Sequence, residues 1–196
     1  GVYSLFAESD SNDEVFTQQQ FDLFQKSCEL IKQLVPRPFL CHIANSSAIL
    51  NHPKTSLDMV RMGIVAYGVS DHPALIKQLL PVIEWSSQVV QVRKLNKGDS
   101  VGYNREFIAP ISMSIGIIPV GYADGFRRSL SHGAGAVYIR GEKCETVGNV
   151  CMDMIMVNIT GLEIQDNEPV EIIGKQQSLM DFSRQLNTIP YEVLTS

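Results

Sequence analysis

The sequence predicts an α/β piece over residues 1–80 and a mostly antiparallel β domain over residues 81–196. Three observations predict it. Short apolar runs alternate with one long amphipathic segment up to about residue 80, which is the rhythm of parallel βα units. From Pro81 onward, short strand-like runs follow one another with turn signals between them. The early part holds only three strand-like runs, too few to close a barrel or cover both faces of a parallel sheet. That part is therefore expected to belong to something larger, and the apolar start Gly1-Val2-Tyr3-Ser4 reads as a buried strand rather than a free terminus.

Residues 1–7 are read as the first strand, and the polar stretch 8–15 as a connection. Thr17 is expected to cap a helix in which Phe21, Phe24, Cys28, Ile31 and Leu34 share a face, with Pro36 ending it. Residues 39–44 read as a second strand. Asn45-Ser46-Ser47 can cap a short helix from Ala48. Residues 59–69 read as a third strand. In the second part, strands are expected at 83–94, 100–104, 112–120, 135–140, 143–149, 153–159 and 169–173. A last helix is expected over 178–186, capped by Ser178.

Composition bounds the function. Hydrophobic residues make up 44% and charged residues 19%, ordinary for a globular chain able to build a core. A net charge of −5 argues against nucleic acid or an anionic membrane as the main partner. The basic pairs Arg93-Lys94 and Arg127-Arg128 read as ordinary surface. Cys28, Cys41, Cys144 and Cys151 show neither zinc spacing nor a disulfide framework and fit a reducing, cytoplasmic setting. No metal site is expected. No apolar run reaches the length of a membrane span, and no signal peptide is visible.

Several segments carry possible chemistry, each with a plainer alternative. Asn45-Ser46 stands where a strand gives way to a helix. Such an edge binds phosphate in βα barrels, or serves only as a cap. Arg61, in Arg61-Met62-Gly63-Ile64, is a charge within an apolar run; it reads either as a ligand contact or as a partner of Asp58. Gly63 permits close approach of a ligand to the backbone. Tyr103, Tyr122 and Tyr191 are phenols that serve as acid or base only beside a cation, and otherwise pack and make one hydrogen bond. Cys151-Met152 reads as core, and Asp153 as a strand-start cap.

Taken together and in order, His42-Ile-Ala-Asn-Ser46, Asp58-Met-Val-Arg-Met-Gly-Ile64, Val101-Gly-Tyr103, Pro119-Val-Gly-Tyr-Ala-Asp-Gly125, Gly148-Asn-Val-Cys-Met-Asp153 and Ile189-Pro-Tyr-Glu-Val-Leu-Thr195 resemble the alanine racemase family across essentially the whole chain. The resemblance implies that residues 1–80 are the last strands of a TIM-type βα barrel holding pyridoxal 5'-phosphate, and that 81–196 are most of the C-terminal β domain. It implies interconversion of L- and D-alanine, a supply of D-alanine for peptidoglycan, and a homodimer with active sites shared between subunits. A racemase of another amino acid such as serine, or a non-catalytic racemase-like module, are the alternatives.

Residue by residue, the resemblance matches Ser46, Gly63, Ile64 and Tyr191, with Asn45 beside them, to phosphate-binding positions. Arg61 matches the arginine that donates to the pyridine nitrogen. Tyr103 matches the tyrosine that moves the α-proton on one face, reaching the site from the partner subunit. Met152, with Asp153 beside it, matches the residue whose N–H meets the substrate carboxylate, and Tyr122 matches a tyrosine at the substrate entrance. The family's cofactor-bearing lysine has no counterpart in this sequence, so these residues alone are expected to be inactive. The resemblance departs at Leu5, where the family carries a histidine linking the tyrosine to the arginine; leucine cannot hydrogen-bond there.

Overall fold

The computed structural model of the chain describes residues 1–70 and 72–196, and these divide into two compact units, Gly1–Leu80 and Pro81–Ser196. In the first unit, β1 (Val2–Tyr3) pairs in parallel with β2 (Cys41–His42). The helix between them, α1 (Glu14–Leu34), starts earlier than the periodicity suggested. Asp13 is its cap, accepting from the Val15 N–H, and Thr17 turns inward, its hydroxyl directed to the Glu8 carbonyl. The helix ends just before Pro36, as a proline requires. Phe21, Phe24 and Cys28 from α1 pack with Phe6, Cys41 and Ile43 in the core of this unit.

α2 (Ser46–Asn51) follows β2 directly, and a short α3 (Pro73–Ile76) comes later in the unit. The third strand expected at 59–69 is not formed. Residues 58–61 run beside β2 through single backbone bonds, Asp58 N–H to the Cys41 carbonyl and Arg61 N–H to the Ala44 carbonyl. The chain then turns at Gly63 (φ −104°, ψ −99°) into a 3-10 helix over Ile64–Tyr67, closed by Gly68 in the left-handed region (φ 76°). An apolar run flanked by glycines does not by itself separate strand from tight helix.

The second unit is built from antiparallel sheets. β3 (Trp85–Gln88), β8 (Ala136–Ile139), β9 (Glu142–Glu145) and β11 (Pro169–Ile173) form one in the order β3-β11-β8-β9. β4 (Gln91–Leu95), β7 (Met113–Ile118) and β10 (Ile155–Asn158) form another in the order β10-β7-β4. β5 (Ser100–Val101) and β6 (Phe107–Ile108) make a two-stranded pair. The single strand expected over 83–94 is two strands in different sheets. At the crossing, Val89 N–H bonds the Glu168 carbonyl while Val90 N–H bonds the Ile117 carbonyl, so the chain changes partner within one residue.

α4 (Leu179–Gln185) is capped by Ser178 as expected, and α5 (Pro190–Thr195) begins with proline at its first position. Trp85, Phe126 and Phe182 meet edge-on and tilted at 5.8–6.3 Å between ring centroids. A second core gathers Leu95, Val101, Met113, Ile115 and Met156, with Phe107 of β6 packed against it. No described helix is long and apolar enough to cross a membrane.

Candidate functional site

In the first unit, the residues singled out from the sequence converge at the end of β2. Asn45 is the cap of α2. Its side-chain oxygen accepts from Ala48 N–H (2.9 Å) and from the Ser9 hydroxyl (2.8 Å). Ser46 is buried, and its hydroxyl oxygen accepts from Gly63 N–H at 2.9 Å. A hydroxyl that accepts one bond still has its own hydrogen to donate. Ile64 opens the 3-10 helix, whose first N–H groups have no partner within that helix. Buried hydroxyl and backbone donors together are the equipment a phosphate needs.

Arg61 is half-buried and does not pair with Asp58, whose carboxylate instead accepts from Cys41 N–H at 2.8 Å. Its Nη2 donates to the carbonyls of Ser4 (2.8 Å) and Ile43 (3.1 Å). Its Nη1 faces the His42 carbonyl (3.4 Å) and the His42 Nδ1. The guanidinium also lies 5.6 Å from the Tyr3 ring centroid, and that ring stacks on His42 at 5.3 Å. Of the five guanidinium hydrogens, these contacts use the four on Nη1 and Nη2. The Nε–H is left without a partner among the described residues. The charge is therefore oriented by backbone carbonyls and an imidazole, with one donor free to meet an acceptor. His42 is not singled out from the sequence as a site residue; its place as the first residue of the His42-Ile-Ala-Asn-Ser46 motif was the available signal.

In the second unit, Tyr103, Tyr122, Met152 and Asp153 line one cavity of about 820 Å³, together with Arg93 and Arg128. Both arginines are exposed, as ordinary surface residues are, and both also line this cavity. Tyr103 is 74% exposed and sits on a tight turn, Tyr103–Arg105, in which Asn104 (φ 58°) and Arg105 (φ 53°) both take the left-handed backbone. Tyr122 opens a 3-10 turn over Tyr122–Asp124, and the segments 121–123 and 151–152 are laced together by Tyr122 N–H to the Cys151 carbonyl and Ala123 N–H to the Met152 carbonyl, each 3.0 Å. Cys151 is partly buried beside Asn149 and Asp153, and that burial raises its thiol pKa. Tyr191 lies elsewhere, on α5, and is not part of this cavity wall.

Glu106 was missed. Its carboxylate accepts from Asn149 Nδ2 (3.1 Å) and Asn104 Nδ2 (3.4 Å), with His132 Nε2 at 3.4 Å. Those amide bonds, then the nearby imidazole and Arg128, hold its carboxyl below the usual range. No local pattern marks a partner 43 positions away.

Comparison with known proteins gives this geometry a family. Residues 82–196 match the family model "Alanine racemase, C-terminal domain" and residues 1–71 match "Alanine racemase, N-terminal domain". An alanine racemase of Thermodesulfovibrio yellowstonii is 38% identical over 100% of this chain and 53% of its own length. One from Geobacillus stearothermophilus is 37% identical over 98% of this chain and 50% of its own. Among solved structures, alanine racemase from Bacillus anthracis with bound L-Ala-P superposes with a TM-score of 0.89 at 28% identity, over 100% of this chain and 52% of that one. Alanine racemase from Bartonella henselae with covalently bound pyridoxal phosphate gives 0.84 at 34% identity, over 99% and 53%. The chain thus spans about half the length of the curated relatives it matches. It carries the end of a βα barrel and a β domain, and it belongs to the alanine racemase family.

Proposed function

We propose that the protein to which this chain belongs interconverts L- and D-alanine with pyridoxal 5'-phosphate as cofactor. The observation that carries the reading is Arg61: a guanidinium locked by the Ser4, His42 and Ile43 carbonyls, with its Nε–H left to donate. The donor set fits the cofactor. The Ser46 hydroxyl hydrogen and the Ile64 N–H, beside Asn45 and with Gly63 bonded to Ser46, would hold its phosphate, and Arg61 would meet its ring nitrogen. Tyr191 is assigned to the phosphate by resemblance to the family alone.

When bound, pyridoxal phosphate supplies the conjugated ring that delocalises the electron pair left on the α-carbon. An arginine at the ring nitrogen donates a hydrogen bond and keeps its own proton, because guanidinium stays charged throughout the working range. It therefore leaves the ring a moderate electron sink, which favours returning the proton to the α-carbon over moving it elsewhere. Tyr103 takes or returns that proton at its Oη on one face. Met152 N–H, beside Asp153, orients the substrate carboxylate, and Tyr122 narrows the approach. Arg93 and Arg128 line the same cavity as Tyr103 and bring cationic side chains to it.

The base for the opposite face is assigned to a lysine for which no residue of this chain matches, so the 196 residues alone are expected to show no exchange. Head-to-tail pairing of two copies, a cytoplasmic location and supply of D-alanine for peptidoglycan belong to the same proposal. It is tested by D/L-alanine exchange in a full-length protein carrying this chain, with serine as the competing substrate. Exchange with kcat/KM for alanine above that for serine supports it. Cofactor bound without exchange overturns it.

A further inference from the structure

The turn that carries Tyr103 is costly. Gly102, Asn104 and Arg105 all have positive φ (75°, 58° and 53°), and two of them are not glycine. Non-glycine residues held in this region persist only where their surroundings fix them. The exposed side chains at the tip supply little that would. Arg105 Nε reaches Ser100 Oγ at 3.1 Å across the same hairpin, which closes the turn on itself without anchoring it to anything else.

The anchor is Glu106. One carboxylate oxygen accepts from Asn104 within the turn; the other accepts from Asn149, which is buried and belongs to the segment bearing Met152 and Asp153. His132 Nε2 stands 3.2 Å from the Asn149 amide oxygen and 3.4 Å from the same Glu106 oxygen, closing a three-residue cluster. Backbone packing follows the same line. A Cβ at Gly148 would lie 3.5 Å from both Phe107 Cβ and the Val101 carbonyl, so the 148–153 segment rests directly on the strands flanking the turn.

We propose that Glu106 is a positioning residue for Tyr103: its carboxylate, bonded to Asn104 and Asn149, fixes the Tyr103 turn against the segment that presents the Met152 N–H. The inference rests on the reading of Tyr103 as the proton-transfer group. Under it, the Glu106 carboxylate joins the backbone packing at Gly148 in setting the distance between the phenol and the carboxylate-binding N–H, and misplacement of a reacting group by about 1 Å costs on the order of a hundredfold in rate.

The experiment uses a full-length protein carrying this chain. Glu106→Ala and Asn149→Ala are each expected to lower kcat for alanine exchange by roughly ten- to a hundredfold with KM changed by less than about twofold. The double variant should be no slower than the worse single one, since both remove the same strut. Glu106→Gln, which keeps a carbonyl oxygen for Asn149, should recover most of the rate.

A second readout needs no activity. In the cofactor-free protein, Glu106→Ala should speed amide hydrogen exchange in peptides covering 102–106 and leave β7 unchanged. Unchanged exchange in that turn, or normal kcat in Glu106→Ala beside a dead Tyr103→Phe, overturns the positioning role alone. Normal alanine exchange in Tyr103→Phe overturns the reading of Tyr103 and the positioning role with it.

Discussion

Gly121, next to Tyr122 in the second unit's cavity wall, has no room for a side chain. A Cβ placed there would stand 2.3 Å from the Met152 carbonyl oxygen and 2.4 Å from that of Cys151. Its own backbone is extended (φ −145°), so the constraint is space and not conformation. Both obstacles are backbone atoms, which cannot rotate aside. Gly121→Ala must therefore push the 121–123 and 151–152 segments apart by about 1 Å to restore ordinary contact. That displacement strains or breaks Tyr122 N–H to the Cys151 carbonyl and Ala123 N–H to the Met152 carbonyl. Two lost bonds at about 1 kcal/mol each, with overpacking of about 1–3 kcal/mol, give roughly 3–5 kcal/mol. For a chain of this size that is a fall in Tm of roughly 6–20 °C. Thermal unfolding followed by circular dichroism reads it directly. A Tm within about 2 °C of the parent would refute the reasoning, because it would mean the two segments separate freely.

Two further expectations concern protonation. Arg140 grips Glu168 through Nε (2.8 Å) and Nη2 (2.6 Å), and this pairing holds the Glu168 carboxyl below its ordinary 4.5. A depressed carboxyl means the unfolded chain binds the proton more tightly, so the pair stabilises the fold above that ordinary value and the gain fades as pH falls through the folded one. Glu168→Gln should flatten the acid limb of a stability-versus-pH curve below about 4.5, and an unchanged limb would dismiss the pair as a contributor. Separately, burial pushes the thiols of Cys144 and Cys28 up to about 11, while Cys151 is only partly buried. Iodoacetamide at about pH 8 should alkylate Cys151 first in the folded chain, since the thiolate is the reactive form. Peptide mass spectrometry settles the order, and equal rates at Cys144 and Cys151 would contradict the burial.

Elements with strong periodicity were legible in the sequence, and those set by long-range partners were not. The alternation in Met113–Ile118 and the Ser178 cap both translate into structure, because neighbouring residues decide them. The break at Val89-Val90 was invisible. Both residues suit a strand, and only Glu168 and Ile117, far along the chain, make them serve different sheets. The helix at Pro190–Thr195 was passed over although proline at its first position was an available signal. Among site residues, those inside compact motifs could be named from the sequence. Arg61 could be suspected as a charge in an apolar run, but its partners, three carbonyls and an imidazole, could not. Glu106 follows the Tyr103 turn and looks like any surface carboxylate until Asn149 is folded beside it.

The two clusters are held by different means, and this bears on how each would respond to Leu5. In the first unit Arg61 is fixed by the Ser4 carbonyl, immediately before Leu5, and by two more carbonyls. None of these bonds uses the side chain at position 5, which is 62% exposed. The carbonyl bonds to the guanidinium therefore do not depend on whether position 5 carries leucine or the histidine that the family resemblance implies there. In the second unit Tyr103 depends on side chains: a carboxylate, two amides and an imidazole hold its turn. With leucine at position 5, Arg61 keeps its carbonyl bonds and its contact with the His42 ring. The tyrosine's placement is left to groups within its own unit, and Glu106 is the one on which the others converge.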